Sequence, residues 1–248
     1  MAALLLAVVL LGGWELYADL GPVDAFVLPA PHQVAAALAD DRSLLWSNFT
    51  VTAGEVALGL LAAVLASLAL ATAIHFSALL RRAVYPLLIA SQTVPVAVMA
   101  PLLVAWLGFG IAPKLVIVAV ICFFPIVVTT LDGLATIDPQ LHKLMRTLDA
   151  SRWRTFRLVE VPSALPAMFS GLRIAVVVAV IGAVFAEYSG SSDGLGHLIQ
   201  QALAQLQTPR AWAAVVVLAA FAVVLFALLT LAERRLLPWA HRTRGVAS

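Results

Sequence analysis

The sequence predicts an all-α, polytopic membrane protein with about six transmembrane helices, organised as a single domain over residues 1–248. Three observations carry that prediction. Hydrophobic residues make up 63% of the chain and charged ones 11%, with a mean hydropathy of +1.03, whereas soluble domains are about 25% charged. The apolar residues fall in Ala/Leu/Val-rich runs of about 17 to 25, the length a helix needs to cross ~30 Å of hydrocarbon. A membrane barrel requires alternating strands of about ten residues, and no such pattern is present. Finally, a polar island from Asp132 to Pro166 interrupts the apolar runs and holds Lys143, Arg146, Arg152, Arg154 and Arg157, five of the fifteen basic residues. A charged, structured insert between two spans is where a soluble partner can grip a membrane protein.

The six spans fall at roughly 2–18, 49–74, 83–107, 113–131, 166–186 and 210–232. The first lacks the basic leader and small-residue cleavage site of a signal peptide, so it reads as an anchor helix. Placing both termini in the cytoplasm puts Arg81, Arg82, Arg173, Arg234, Arg235, Arg242, Arg244 and the five island cations inside. Only Arg42, Lys114 and Arg210 are then left outside, as the positive-inside rule requires. Between the first two spans, the LPAPHQVAAALADD run predicts a short surface helix, because Pro31 fits a first-turn position. After the fifth span, Leu195, Leu198, Ile199, Ala202 and Leu206 keep helical spacing over a stretch too short to cross. Trp46, Trp106, Tyr188 and Trp212 fall near the outer interface, and Tyr85, Trp153 and Trp239 near the inner one, as an aromatic belt does.

Inside the spans, polar residues are costly and need partners. Gln92, Thr93 and Pro95 in the third span either line a path for a polar solute or hold helices together. Phe123 and Phe124 in the fourth could gate that path, although core packing explains them more simply. Glu15, Glu55 and Glu187 lie within or at the edges of spans, where carboxylates are often functional, and Glu187 is also open to simple interfacial solvation. The ridge Gly171, Ala175, Ala179, Ala183 permits close helix approach, within the subunit or at a dimer interface. The five histidines are scattered without ligand-like spacing, so no metal site is expected, and the single Cys122 reads as a small buried side chain.

In the island, Asp138-Pro139 is a helix start, a capping carboxylate followed by a first-position proline. Leu141, Leu144, Met145 and Leu148 form one apolar face. The pattern breaks at Asp149-Ala150-Ser151. Ser151 can cap a second short helix carrying Trp153 and Phe156, which Val161-Pro162 should end. From spacing alone, this knob is either a dock for a partner's hydrophobic groove or an interfacial loop on lipid headgroups.

The segment Arg146-Thr147-Leu148-Asp149-Ala150-Ser151-Arg152-Trp153 with Phe156, then Ala164-Leu165-Pro166 and Gly171-Leu172-Arg173-Ile174, resembles the cytoplasmic loop of bacterial ABC importer permeases. The similarity takes in the LPAP segment and the Gly194 to Gly196 motif and covers nearly the whole chain. The chain departs from the family pattern in having Lys143-Leu144-Met145 for the E-A-A triplet and Asp149 for its glycine. Aspartate tolerates left-handed backbone, so the turn can survive. The resemblance implies a type I importer permease fold in the bacterial inner membrane, with residues 132–165 as the loop carrying a coupling helix. In such importers the helix sits in a cleft of a separate ATPase, so Leu144, Met145, Arg146, Thr147, Leu148, Asp149, Ala150, Ser151, Arg152, Trp153 and Phe156 are the implied contacts. ATP and Mg bind in that partner, and this chain carries no phosphate-binding loop and no cofactor of its own. An extracytoplasmic solute-binding protein and a second permease subunit, identical or not, complete the implied assembly, with no role for nucleic acid.

The runs around Gln92 and Pro125 and from Pro162 to Gly190 look most like the branch that imports thiamine-precursor pyrimidines. The riboflavin, aliphatic sulfonate, taurine and nitrate branches share much of the pattern. A rival of another class is an ion-coupled carrier using Glu55 or Glu187. It accounts for the carboxylates but leaves the island without a role.

Overall fold

The computed structural model describes residues 2–21, 24 and 26–239. Among them every regular element is helical: α1 (Ala2–Leu20), α2 (Pro31–Asp40), α3 (Arg42–Phe76), α4 (Ala78–Ser91), α5 (Val96–Leu107), α6 (Ile111–Ala135), α7 (Pro139–Thr147), α8 (Arg152–Thr155), a π-helical turn (Phe156–Glu160), α9 (Val161–Tyr188), α10 (Leu195–Ala204) and α11 (Thr208–Leu236). Four continuous helical segments are long and apolar enough to cross a membrane: Arg42–Phe76, Ile111–Ala135, Arg152–Tyr188 and Thr208–Leu236. The expected cations Arg242 and Arg244, and His241, lie outside the described residues.

The centre of the bundle is α6, packed between α9 and α3. Small residues set these approaches. A Cβ on Gly171 would stand 2.0 Å from Thr129 Oγ1 and 2.6 Å from the Pro125 carbonyl oxygen, so the two helix backbones are as close as they can be. Ala175, Ala179 and Ala183 continue the same buried face, and Cys122 Sγ lies 3.3 Å from the Ala175 carbonyl oxygen. The small-residue ridge is therefore consumed inside the subunit and is not free to form a dimer contact. At the end away from the island, α2 packs on α11, fixed by the Arg210 guanidinium donating to both oxygens of Asp41 at 2.7 and 2.9 Å. Trp14 of α1 leans on Trp212 of α11, with ring centroids 5.2 Å apart.

Two predicted elements come out differently. The third span is not one helix. It breaks between Ser91 and Val96, because Pro95 has no N–H to donate and disfavours helical backbone at Val94. At 14 and 12 residues, α4 and α5 are each about 20 Å long, so neither alone crosses the hydrocarbon. Conversely, Val161-Pro162 does not end the helix of Trp153 and Phe156. The Val161 N–H bonds back to the Phe156 carbonyl, the wider π turn absorbs the register change, and Pro162 sits in the first turn of α9, where a missing N–H costs little. Of the expected two-helix knob, only α7 stands apart. α8 is the first turn of the span that follows.

Candidate functional site

At the island end, α7 begins and ends as its residues dictate. Asp138 accepts a hydrogen bond from the Gln140 N–H at 2.8 Å, and Pro139 follows it. At the other end, the Asp149 N–H donates to the Arg146 carbonyl and the Ala150 N–H to the Met145 carbonyl, both at 3.0 Å. This Schellman arrangement puts Asp149 in the left-handed position usually given to glycine, with φ at 51°. Ser151 then caps α8 through the Arg154 N–H at 3.3 Å.

No residue of α7 is buried. Leu144 and Leu148 are 53% and 65% exposed, and Trp153 is 60% exposed. Arg146, Thr147, Asp149, Ser151 and Arg152 share that open surface, with Met145 and Ala150 half-buried at its edge. Phe156 is the correction. At 6% exposed it packs with Leu134 and Ala164 and against Phe76, ring centroids 4.9 Å apart, so it supports the surface from behind and is not part of it. The sequence puts Trp153 and Phe156 on one short helix, but the side of that helix on which α3 ends decides which of the two is covered. Trp153 and Arg152 reach the same Phe76, the guanidinium 5.0 Å above its ring.

Beneath this surface lies an arrangement that sequence spacing did not reveal. Glu160, in the π turn, accepts a hydrogen bond from His75 Nε2 at 2.6 Å through one oxygen, and its other oxygen stands 3.2 Å from His142 Nε2 of α7. A second histidine pairing, His32 of α2 with Glu15 of α1, gathers Glu15, Asp19 and His32 at the opposite end with ligand atoms within 4.8 Å of one another. The Glu15 hydrogen bond is the main cause that raises the His32 pKa above its ordinary value. Sequence spacing could not show these His–Glu pairings, because residues 17 and 85 apart in sequence meet only in the fold.

At that opposite end, the costly carboxylates have partners. Glu187 is fully buried. One of its oxygens accepts from the Thr52 hydroxyl at 2.6 Å and the other from the Gly196 N–H. The Leu195 N–H donates to Thr52 Oγ1 at 2.9 Å and the Gly194 N–H to Asn48 Oδ1 at 2.8 Å. Three successive amides opening α10 are thus satisfied by α3 and by the end of α9, with the carboxylate at the positive end of the helix dipole. A Cβ on Gly194 would lie 2.3 Å from that carboxylate, which is why the position is glycine. Beside it, Lys114 Nζ donates to Glu55 Oε1 and to Ser191 Oγ, both at 2.6 Å. The sequence marks Lys114 only as an outer-side cation. Its partner Glu55 stands 59 residues away, a separation that no local pattern reports. Lys114 also forms one wall of a cavity of about 540 Å³ lined by Phe109, Gly110, Gly190, Ser191 and Ser192.

The remaining expected path residues divide into two groups. Gln92, Thr93 and Pro95 are exposed at the break between α4 and α5. Among the described residues, the Gln92 side chain finds only its neighbour Ser91 at 3.4 Å and links no two helices. Phe123 and Phe124 pack half-buried against the cluster of Ala71, Ile74, Leu88, Val127 and Leu131.

Residues 56–238 match the family of binding-protein-dependent transport system inner membrane components. The chain belongs to that family of ABC importer permeases. The permease is 40% identical to a probable ABC transporter permease protein of Haemophilus influenzae, over 90% of this chain and 91% of the relative. It is 36% identical to the formylaminopyrimidine transport permease of Halalkalibacterium halodurans, covering 86% of each chain. A riboflavin transport system permease of Chloroflexus aurantiacus is 34% identical over 91% of this chain and 85% of its own. In fold, the permease is similar to a chain in the crystal structure of an amino acid ABC transporter with histidines. The TM-score is 0.63 at 19% identity, over 81% of this chain and 97% of the other.

Proposed function

We propose that the permease is one membrane subunit of an ATP-driven importer for a thiamine-precursor pyrimidine, lying in the bacterial inner membrane with the island and both termini in the cytoplasm. The observation that carries the coupling is the open apolar surface formed by Leu144 and Leu148 of α7, a helix capped at both ends, with Trp153 of α8 beside the turn that follows. It offers a soluble partner the apolar anchors that a groove takes up. The partner is a separate ATPase that holds ATP and Mg. A second, identical permease subunit and an external solute-binding protein complete the assembly. Gln92, Thr93 and Pro95, exposed where α4 ends, line the path, and the cavity at Lys114 and Ser191 offers hydrogen bonds at its far end. The formylaminopyrimidine relative supports the substrate class, and the riboflavin relative supports nitrogen heterocycles more broadly. Glu55 and Glu187 are engaged by Lys114, Thr52 and the start of α10, which does not favour an ion-coupled carrier.

Proteoliposomes containing the permease, its ATPase and its binding protein should take up radiolabelled formylaminopyrimidine only with ATP inside the ATPase-bearing face. Leu148→Glu or Trp153→Glu should release the ATPase from the purified complex and leave the permease folded. Uptake that persists without ATPase and collapses with the ion gradient, or a complex that survives both substitutions, overturns the reading.

A further inference from the structure

A lever must be fixed to what it moves, and α7 is poorly fixed. None of its residues is buried, and its backbone reaches the bundle only through the turns at Thr136–Asp138 and Asp149–Ser151. Its polar contact with the bundle is His142, whose Nε2 stands 3.2 Å from Glu160 Oε1. Glu160 lies in the π turn that leads into α9, and its second oxygen holds His75 Nε2, in the last turn of α3, at 2.6 Å. One carboxylate, 6% exposed, therefore joins α7, the π turn and the end of α3, the last 85 residues away in sequence.

The chemistry of the group suits a fixed link. A carboxylate oxygen and an imidazole nitrogen 2.6 Å apart share one proton, so the His75–Glu160 contact is a hydrogen bond whichever of the two carries it. Among the described residues, the buried Nδ1 atoms of His75 and His142 have no partner, so the paired nitrogen of each ring is the one aimed at Glu160. The His75 ring is further held between Phe156, centroids 5.4 Å apart and tilted 30°, and Phe76, centroids 5.3 Å apart and edge-on. Burial excludes water from the His75 arm of the bridge, whereas the His142 side chain is 42% exposed, so that arm is the one that can open.

We propose that Glu160 is a positioning residue for coupling. By bridging His142 and His75 it makes α7, the end of α3 and the start of α9 move as one body when a partner pulls on Leu144, Leu148 and Trp153. This rests on the ATPase-docking reading. The π turn places Glu160 on the side that faces both histidines, and without the bridge α7 swings on its two turns while the spans lag behind.

The test uses the assembled complex with spin labels at the exposed Lys143 of α7 and the exposed Arg157 of the π turn, read without nucleotide and after trapping with ATP and vanadate. The unaltered bridge should give one narrow distance distribution that is the same in both states. His142→Leu should broaden it without nucleotide and shift it on trapping, with the ATPase still bound. His142→Gln, whose amide N–H can donate to the same oxygen, should restore the narrow distribution, which a mere space-filling role does not predict. Glu160→Gln combined with His142→Leu should be no worse than His142→Leu alone, as expected for two residues acting as one unit. A distribution that stays narrow in His142→Leu, or one that His142→Gln fails to restore, overturns the proposal. The nucleotide-free measurement needs no ATPase, so loss of the docking reading would show separately, as an ATPase that never binds the unaltered permease.

Discussion

At the scale of single residues, Asp149 shows how a departure from a family pattern is absorbed. The turn after α7 needs a left-handed residue, and a non-glycine residue there costs up to about 1–2 kcal/mol, less for aspartate than for most. The hydrogen bonds from Asp149 and Ala150 back to Arg146 and Met145 hold it in place nonetheless. Asp149→Gly should therefore stabilise the end of α7 by about 1 kcal/mol, slowing amide exchange there about fivefold. Unchanged or faster exchange would mean that the aspartate side chain contributes something the backbone geometry does not reveal. This turn was legible in the sequence, since Asp138, Pro139, Asp149 and Ser151 act on neighbours within a few positions. Phe156 was not, because its burial depends on Phe76, which belongs to another helix.

Among elements, α10 is the clearest case of a helix positioned by side chains from elsewhere. Its periodicity was readable from Leu195 to Leu206, but what held its first turn was not. Asn48, Thr52 and Glu187 take the amides of Gly194, Leu195 and Gly196 in order. Removing a buried acceptor leaves its donors unpaired at about 1–3 kcal/mol. Glu187→Ala should thus speed hydrogen exchange at residues 194–198 well before global unfolding, whereas Glu187→Gln, which keeps an acceptor, should do so less. Equal exchange in the two variants would sink the capping role. The break at Gln92 to Pro95 is the opposite case. Pro95 announced it, yet the apolar composition on both sides concealed that one predicted span was two helices.

For the molecule as a whole, stability rests on how closely α6 can lie between α3 and α9. Any side chain at Gly171 must displace Thr129 and the Pro125 carbonyl. Overpacking of this kind costs about 1–3 kcal/mol, so Gly171→Ala should lower the thermal unfolding midpoint of the purified permease measurably. If the midpoint holds and a dimer instead dissociates, the ridge is an intersubunit contact after all.

The sequence by itself determined the membrane class, the approximate extents of the four long spans, the caps of α7 and the exposed island, because length, periodicity and capping act over one to a few helical turns. Only the tertiary structure decided the partners of Glu55, Glu187 and Glu160, the covering of Phe156 and the use of the glycine–alanine ridge. These are meetings between residues 9 to 135 positions apart. A sequence pattern says which face of a helix is apolar and where a charge sits. It does not say which neighbour will come within 3 Å of it.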